Sequence, residues 1–151
     1  MATVRVQTGP FDTGAEIAAL LDGRTTVGGI GCFLGVVRDS GGGRPILSMT
    51  LEHYPGMTER ALLAIAETAE GRWPLLGCTV IHRVGRLLPG EAIVLVLTAS
   101  PHRQAALDAT AFLIDWLKTK APFWKQEEFA SGGAAWVAAQ DGDAAAAERW
   151  G

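Results

Sequence analysis

Several short segments of the chain alternate between hydrophobic and polar residues or run continuously apolar, as β-strands with one or two buried faces do. The clearest apolar run is Ala92–Ser100. Thr3–Gln7 and, with one slip, Pro45–His53 alternate, and strands are also predicted over Gly28–Val37, Cys78–Val84, Phe123–Phe129 and Ala135–Ala139. The chain is therefore rich in predicted β-structure.

A hydrophobic period of three to four residues predicts helices between these strands. The strongest helical pattern covers His102–Lys120, where one apolar stripe runs along the segment and Pro122 ends it. A second helix is predicted from a cap at Thr58 to Arg72. Two shorter helices are predicted over Ala15–Leu21, capped by Asp12 or Thr13, and over Asp143–Trp150.

The predicted order of elements is β-α-β-β-α-β-β-α-β-β-α. The glycine-rich segment Asp39–Arg44 is predicted to be a flexible loop, and Gly85–Glu91 to be a connection that turns at Pro89-Gly90. Because helices and hairpins are mixed, with few clean β-α-β alternations, the order predicts an α+β fold of two layers with a mainly antiparallel sheet. A length of 151 residues fits a single domain over residues 1–151.

Composition excludes several classes of protein. Hydrophobic residues make up 48% of the chain and charged residues 19%, with a formal net charge of −3. This balance argues against a disordered chain and against nonspecific binding to nucleic acid. The longest apolar run, Ala92–Ala99, is shorter than the roughly 20 residues that cross a bilayer. Met1–Arg5 shows no signal peptide. We therefore expect a cytoplasmic protein that binds neither membranes nor nucleic acid.

Residues that could hold a metal ion are sparse. The two cysteines, Cys32 and Cys78, lie in separate strand-like segments without a Cys-x-x-Cys pair, and the three histidines are scattered. A structural zinc site needs about four ligands at set spacings. We therefore predict no metal site and no bound cofactor, and we expect both cysteines to be buried packing residues.

Glycine is concentrated in the predicted strand Gly28–Val37. Because glycine weakens strands, its presence predicts a bulge or the close approach of another segment of backbone. The run Gly28-Gly29-Ile30-Gly31 lacks the Gly-x-Gly-x-x-Gly pattern of dinucleotide sites, and no Gly-x-x-x-x-Gly-Lys-Ser/Thr sequence occurs. These glycines therefore do not predict a nucleotide site.

Cationic residues are the best candidates for binding chemistry. Arg38 follows the glycine-rich strand, His102 and Arg103 open the longest predicted helix, and Lys118 and Lys125 lie around the end of that helix. A helix N-terminus attracts anions through its free N–H groups and its dipole. Taken singly, each residue is more simply explained as a solvated surface group or a helix-end charge. Together they favour a pocket for a small anion.

The length of the predicted helix limits how these residues can meet. His102 and Lys118 are 16 residues apart in sequence, which is about 24 Å along a helix that rises 1.5 Å per residue. A small metabolite spans only about 10 Å. If His102, Arg103 and Lys118 share one site, that site lies between two subunits. This reasoning predicts a homodimer with two equivalent sites.

Short motifs distributed along nearly the whole chain are weak individually but specific in combination. In order, they are Phe33-Leu34-Gly35-Val36-Val37-Arg38, Leu51-Glu52-His53-Tyr54-Pro55-Gly56-Met57, Arg72-Trp73-Pro74, Ile81-His82-Arg83-Val84-Gly85, Ser100-Pro101-His102-Arg103, Ile114-Asp115-Trp116-Leu117-Lys118, Ala121-Pro122-Phe123-Trp124-Lys125-Gln126-Glu127 and Trp136-Val137. This set resembles the large, catalytic subunit of molybdopterin synthase.

The resemblance implies an α/β-hammerhead fold with an additional antiparallel sheet. It also implies a sulfurtransferase that converts cyclic pyranopterin monophosphate into molybdopterin, in molybdenum cofactor biosynthesis, by installing two sulfurs as a dithiolene. The sulfur would arrive as the C-terminal thiocarboxylate of a small ubiquitin-like subunit, whose Gly-Gly tail enters the pocket. The implied assembly is a heterotetramer built on a homodimer of large subunits.

The resemblance also implies which residues bind the pterin. They are Val36, Val37, Arg38, His102, Arg103, Lys118, Lys125, Gln126 and Glu127, with Lys118 as the essential catalytic lysine and Lys125 as a second important one. Three positions that are often basic in the family carry Val36, Gln126 and Gln140 in this chain. The missing positive charges are expected to affect substrate affinity more than the type of reaction.

Two other functions remain open from the residues alone. A non-enzymatic binding module would hold a phosphorylated metabolite or a partner's C-terminal tail in the same cationic pocket without turnover. A phosphate-ester enzyme would need a metal or a nucleophile, and the sequence shows neither arrangement. For a sulfur transfer, the lack of a thiol pair in the chain requires an external sulfur donor.

Overall fold

The computed structural model describes residues 2–137 and 141–150, whose helices are separated by groups of strands. Along the chain these elements are β1 (Ala2–Gln7), α1 (Thr13–Leu21), β2 (Gly29–Val36), β3 (Ser40–Gly41), β4 (Arg44–His53), α2 (Met57–Arg72), β5 (Gly77–Arg83), β6 (Gly85–Leu87), β7 (Ala92–Ser100), α3 (Arg103–Thr119), β8 (Phe123–Phe129), β9 (Ala134–Trp136) and α4 (Asp141–Glu148). The predicted α+β class is confirmed.

The first sheet has four strands in the order β1-β5-β7-β2. Strand β1 is parallel to β5, and the other pairs are antiparallel. Helix α1 covers one face, where Leu20 packs with Ile81 and Leu97. Helices α2 and α3 cover the opposite face, where Leu62 and Leu113 belong to the main core. Strands β5 and β7 are both buried, and β7 is a nearly continuous apolar run, whereas β5 also carries Thr79, His82 and Arg83.

The second sheet is antiparallel and is centred on β4. Strands β3, β4, β8 and β9 follow one another, and β6 also pairs with β4. Leu51 of β4 lies opposite Lys125 of β8 and opposite Gly85 of β6. The side chains of Leu51 and Leu87 are almost fully buried in the main core. The second sheet therefore packs on the side of the first sheet that carries α2 and α3.

Local capping explains where the first two helices begin. The Asp12 side chain caps α1 by accepting a hydrogen bond from the Ala15 N–H at 3.0 Å, as predicted. The predicted Thr58 cap of α2 is wrong. Gly56 is the N-cap at a φ of +83°, its N–H donates to Glu59, and Thr58 instead accepts from the Tyr54 N–H.

No helix among residues 2–137 and 141–150 combines the length and apolarity needed to cross a membrane.

Two predicted connections contain strands instead. The supposed flexible loop Asp39–Arg44 forms a tight hairpin, in which β3 pairs with the start of β4. Gly42 and Gly43 turn this hairpin at positive φ values of 58° and 79°, as a two-residue turn between twisted strands requires. Part of the predicted connection Gly85–Glu91 is β6, whose pairing with β4 is not visible in three residues of sequence.

Close packing accounts for the glycines of β2. A Cβ atom on Gly31 would lie 2.5 Å from the carbonyl oxygen of Ala106 and 2.3 Å from Oγ1 of Thr110, both on α3. At Gly28 a Cβ would lie 2.0 Å from the carbonyl oxygen of Pro101. The predicted close approach of another backbone is therefore made by the chain's own helix α3 and the residues before it. The predicted bulge lies between Gly35 and Val36.

We predict that Gly31→Ala destabilises the fold. The new methyl group must displace α3 from β2, and overpacking of this kind costs about 1–3 kcal/mol. Gly71→Ala is the matched control, because no atom lies within 4 Å of the Cβ position in this exposed last turn of α2. Alanine there is expected to be neutral or to stabilise the helix by up to about 1 kcal/mol. Urea unfolding checks both variants, and equal stability of the two would contradict the packing argument.

Candidate active site

A cavity of about 260 Å³ lies where the end of α3 meets both sheets. It is enclosed by the segment after β2, the start of β3, the middle of β4, the end of β5, the start of β7, the end of α3 and alternate residues of β8. The lining residues are Val36, Val37, Arg38, Ser40, Ile46, Met49, His82, Ile93, Leu117, Lys118, Thr119, Ala121, Phe123, Lys125, Glu127 and Val137.

Arg38 reaches this cavity because the chain leaving β2 is held by its backbone. The N–H of Val37 donates to the carbonyl oxygen of Glu91 at 2.9 Å, and the carbonyl oxygen of Val37 accepts from the Gly90 N–H at 2.8 Å. The Val37 side chain is buried in the main core. The backbone next to Arg38 is therefore held in place by the hydrogen bonds and the burial of Val37.

Lys118 is placed by the last turn of α3. The helix continues without interruption from Arg103 to Thr119, and the N–H of Lys120 still donates to the carbonyl oxygen of Trp116. Pro122 then prevents further helix, so the chain turns into β8. Lys118 consequently lies on the cavity wall together with residues of β8.

Strand β8 contributes alternate residues to the cavity. Phe123, Lys125 and Glu127 line it, whereas Gln126 does not. Successive side chains of a strand point to opposite faces, so Gln126 lies on the outer face of the second sheet, between Thr50 and Trp136 in register. The predicted position of Gln126 in the pocket is therefore not supported by the placement of its side chain.

The carboxylate of Glu127 lies against the β3 hairpin. A Cβ atom on Gly41 would be only 2.6 Å from both carboxylate oxygens. The absence of a side chain at Gly41 therefore makes room for the carboxylate. Arg38, Lys118 and Lys125 give the lining three positive side chains, and Glu127 offsets one of them. The site carries an excess of positive charge and suits an anion.

His82 also lines the cavity, near the end of β5. Its ring stacks on Phe123 with a centroid distance of 3.9 Å, and its Nδ1 lies 2.8 Å from the carbonyl oxygen of Arg83. Burial, together with the positive charges of Lys125 and Lys118, lowers the pKa of His82 to about 4, and the hydrogen bond to the Arg83 carbonyl opposes this shift. The imidazole is therefore neutral near pH 7.

Sequence reasoning did not single out His82 as a pocket residue. The available signal was a histidine directly after the apolar pair Val80-Ile81 in the strand Gly77–Arg83, all seven residues of which are buried. A buried polar side chain needs a hydrogen-bond partner or a function. The sequence could not show that β8 packs beside β5 and so brings Phe123 and Lys125 close to the His82 imidazole.

His102 and Arg103 lie at the opposite end of α3 and do not line the cavity. Arg103 and Lys118 are separated by about 22 Å along an unbroken helix. A single chain therefore brings Val36, Val37, Arg38, Lys118, Lys125 and Glu127 together, but not these two residues. Gln140 lies outside the described residues.

Neither cysteine lines the cavity. Cys78 is buried in the main core, and burial raises the pKa of its thiol to about 12. Cys32 is exposed on β2, which corrects the expectation that both cysteines are buried. Burial still raises the pKa of Cys32, so neither thiol is an activated nucleophile.

Sequence comparison identifies close relatives. Proteins named molybdopterin synthase catalytic subunit are 52% identical in Ralstonia nicotianae, over 100% of this chain and 85% of that protein, and 53% identical in Pseudomonas aeruginosa, over 97% of each. The Escherichia coli protein of the same name is 46% identical over 99% of this chain and all of its own length.

Solved structures agree with this relationship. The molybdopterin biosynthesis MoaE protein of Burkholderia ambifaria superposes with a TM-score of 0.84 at 49% identity, covering 99% of this chain and 98% of that one. The molybdopterin synthase of Staphylococcus aureus gives 0.79 at 28% identity, covering 88% and 95%. The MoaE protein family itself matches residues 6–120. The chain therefore belongs to the MoaE family, the catalytic subunits of molybdopterin synthase.

Proposed function

We propose that this chain transfers sulfur from the C-terminal thiocarboxylate of a small partner subunit to cyclic pyranopterin monophosphate, which forms the dithiolene of molybdopterin in the cytoplasm. The observation that carries the proposal is the convergence of Arg38, Lys118 and Lys125 on one cavity in a member of this family. A cavity of about 260 Å³ is large enough to enclose much of a small metabolite.

The cationic lining suits a phosphorylated substrate. Charge-assisted hydrogen bonds from guanidinium and ammonium groups to phosphate oxygens are shorter and stronger than neutral ones. Arg38 offers a planar fork of donors, and each lysine offers a compact charge with three. The positive side chains among these lining residues outnumber the carboxylate of Glu127, which favours the binding of a phosphate group.

The sulfur has to come from outside the chain. Neither cysteine is at the cavity, and neither has a thiol activated as a nucleophile. The relatives are named as catalytic subunits, which presupposes at least one other subunit. A thiocarboxylated tail that enters the cavity would bring its sulfur against the bound pterin, so that positioning lowers the barrier. In each transfer a carbon–sulfur bond forms as a carbon–oxygen bond of the substrate breaks, and water then hydrolyses the bond between the sulfur and the acyl carbon of the tail, which leaves the tail as a carboxylate.

We assign the essential catalytic role to Lys118 and a second role to Lys125. Negative charge develops on oxygen as the thiocarboxylate adds and leaves, and a fixed ammonium group at that point stabilises it or transfers a proton to it. Lys118 is held by a regular helical turn, and Lys125 by strand pairing with Leu51. Both ammonium groups are therefore carried by rigid elements.

We further infer that His102 and Arg103 complete the cavity of a second copy of the chain. The two residues cannot reach the cavity of their own chain along a helix of this length. In a homodimer, each site would combine Lys118 of one protomer with His102 and Arg103 of the other. The cations missing at Val36 and Gln126 would then be partly replaced from the partner.

We expect Lys118→Ala to lower the rate of molybdopterin formation by about 100-fold or more, the typical cost of removing a group that stabilises transition-state charge. Lys120→Ala is the matched control, because it removes the same charge two residues later, where the side chain does not line the cavity. Mass spectrometry of the dithiolene product, with thiocarboxylated small subunit and cyclic pterin supplied, measures both. Wild-type turnover by Lys118→Ala would overturn the assignment. Binding without product by the wild-type protein would instead favour a non-enzymatic module.

The shared site is tested with mixed dimers of two inactive variants. One protomer carries Lys118→Ala and the other Arg103→Ala, each with a different affinity tag. If each site uses both chains, the purified mixed dimer contains one intact site and recovers about half of the wild-type activity, because symmetry gives two equivalent sites. If Lys118 and Arg103 act within one chain, every site is damaged and no activity returns.

A further inference from the structure

His82 is a cavity residue that the proposed sulfur transfer does not yet use. It lies near the end of β5, between Val6 of β1 and Val94 of β7 in register, and its side chain is 5% exposed. Stacking on Phe123 fixes the plane of the ring. A rigid, polar ring in the wall of a binding cavity is positioned to contact whatever the cavity holds.

The hydrogen bond at Nδ1 determines which ring nitrogen carries the proton. A carbonyl oxygen can only accept, so at 2.8 Å the Nδ1–H donates to the carbonyl oxygen of Arg83. In the neutral imidazole, Nε2 then carries the free lone pair. The tautomer is therefore set by the backbone and not by a ligand.

Nε2 opens onto the cavity. Among the described residues, no polar side-chain atom that is sealed from solvent lacks a hydrogen-bond partner. The hydrogen bond of the His82 ring is made by Nδ1, and Nε2 is not among the sealed atoms. Since His82 lines the cavity, the space that Nε2 reaches is the cavity itself.

The charges that face His82 keep it neutral. Lys118 approaches from α3, Lys125 and Glu127 from β8, Arg38 from the segment after β2, and His53 from the end of β4. Burial and the surrounding cations lower the pKa of His82 to about 4. The lone pair at Nε2 is therefore available at pH values above about 4, which include pH 7.

We propose that His82 is a specificity-determining residue, whose Nε2 accepts a hydrogen bond from an N–H or O–H group of the bound substrate. This inference rests on the proposed function. The three cations of the cavity are donors only, so they select an anion but not the rest of the molecule. A reduced pterin carries N–H donors, which a plain anion such as sulfate lacks. A fixed neutral acceptor thus distinguishes the phosphorylated pterin from other small anions.

Two substitutions separate the acceptor from the shape of the ring. His82→Phe retains the stacking on Phe123 but removes the lone pair, whereas His82→Gln retains an acceptor near Nε2. With the complete synthase, we expect the Phe variant to raise KM for the pterin about 10-fold or more with kcat changed less than about threefold, because a donor is left unpaired in the cavity. The Gln variant should raise KM by no more than about threefold.

Sulfate inhibition provides the control for a merely structural effect. Sulfate binds through the cations alone, so its inhibition constant should be the same in the wild-type and Phe proteins. A parallel rise in both constants would indicate a distorted cavity and would overturn the inference. Equal KM values for the Phe and Gln variants would also overturn it.

A spectroscopic measurement decides the matter if the Phe variant does not fold. The full chain is labelled with ¹⁵N-histidine, and the Nε2 resonance of His82 is assigned by its loss in His82→Gln. We expect this resonance to have the chemical shift of an unprotonated nitrogen. It should move upfield when cyclic pyranopterin monophosphate is added. An unchanged Nε2 resonance in a protein that binds and converts the pterin overturns only this inference. Absence of pterin binding by the wild-type protein overturns the proposed function as well.

Discussion

The direct contact of α3 with β2 is the constraint on which the candidate site depends. At Gly31 the helix lies so close to the strand that a single methyl group would meet the Ala106 carbonyl oxygen and the Thr110 hydroxyl. The Thr98 hydroxyl, on the neighbouring strand β7, donates to that same carbonyl at 2.7 Å and lies 3.0 Å from the Thr110 hydroxyl. Because α3 is rigid and unbroken, its depth on the sheet at Gly31 also determines where Lys118 lies, about two turns beyond Thr110.

The cavity combines two kinds of recognition that have different physical origins. Arg38, Lys118 and Lys125 bring like charges together, an arrangement that becomes favourable when an anion neutralises them. His82 contributes no charge, because burial and those same cations disfavour its protonated form. The cations that would attract the phosphate in the proposed function thus also preserve a neutral acceptor beside them. Lysines on a rigid helix and strand require little reorganisation when charge develops during the reaction.

Much of the fold could be predicted from local patterns. The bounds of Ala92–Ser100 and Phe123–Phe129 agree with the predicted strands, and α3 lies one residue inside the predicted helix at each end. Ala92–Ser100 and the helix are predicted well because their apolar content and period are strong, and Pro122 marks the boundary between the helix and Phe123–Phe129. Ser40–Gly41 and Gly85–Leu87 are too short to show any period, and both are strands because β4 offers them hydrogen bonds. Cys32 shows the same limit, since an apolar neighbourhood in sequence did not reveal that one face of β2 is uncovered.

By itself, the sequence determined the helices and main strands, the family and the identity of the cations, because these follow from side-chain type and spacing. It also determined that Lys118 and Arg103 are too far apart for one small ligand, since the rise of a helix is constant. Only the tertiary structure decided that Lys125 and Glu127 line the cavity while Gln126 faces away. The tertiary structure alone also placed His82 against Phe123. The face to which a strand's side chains point, and the distant segments they contact, depend on how the sheets pack.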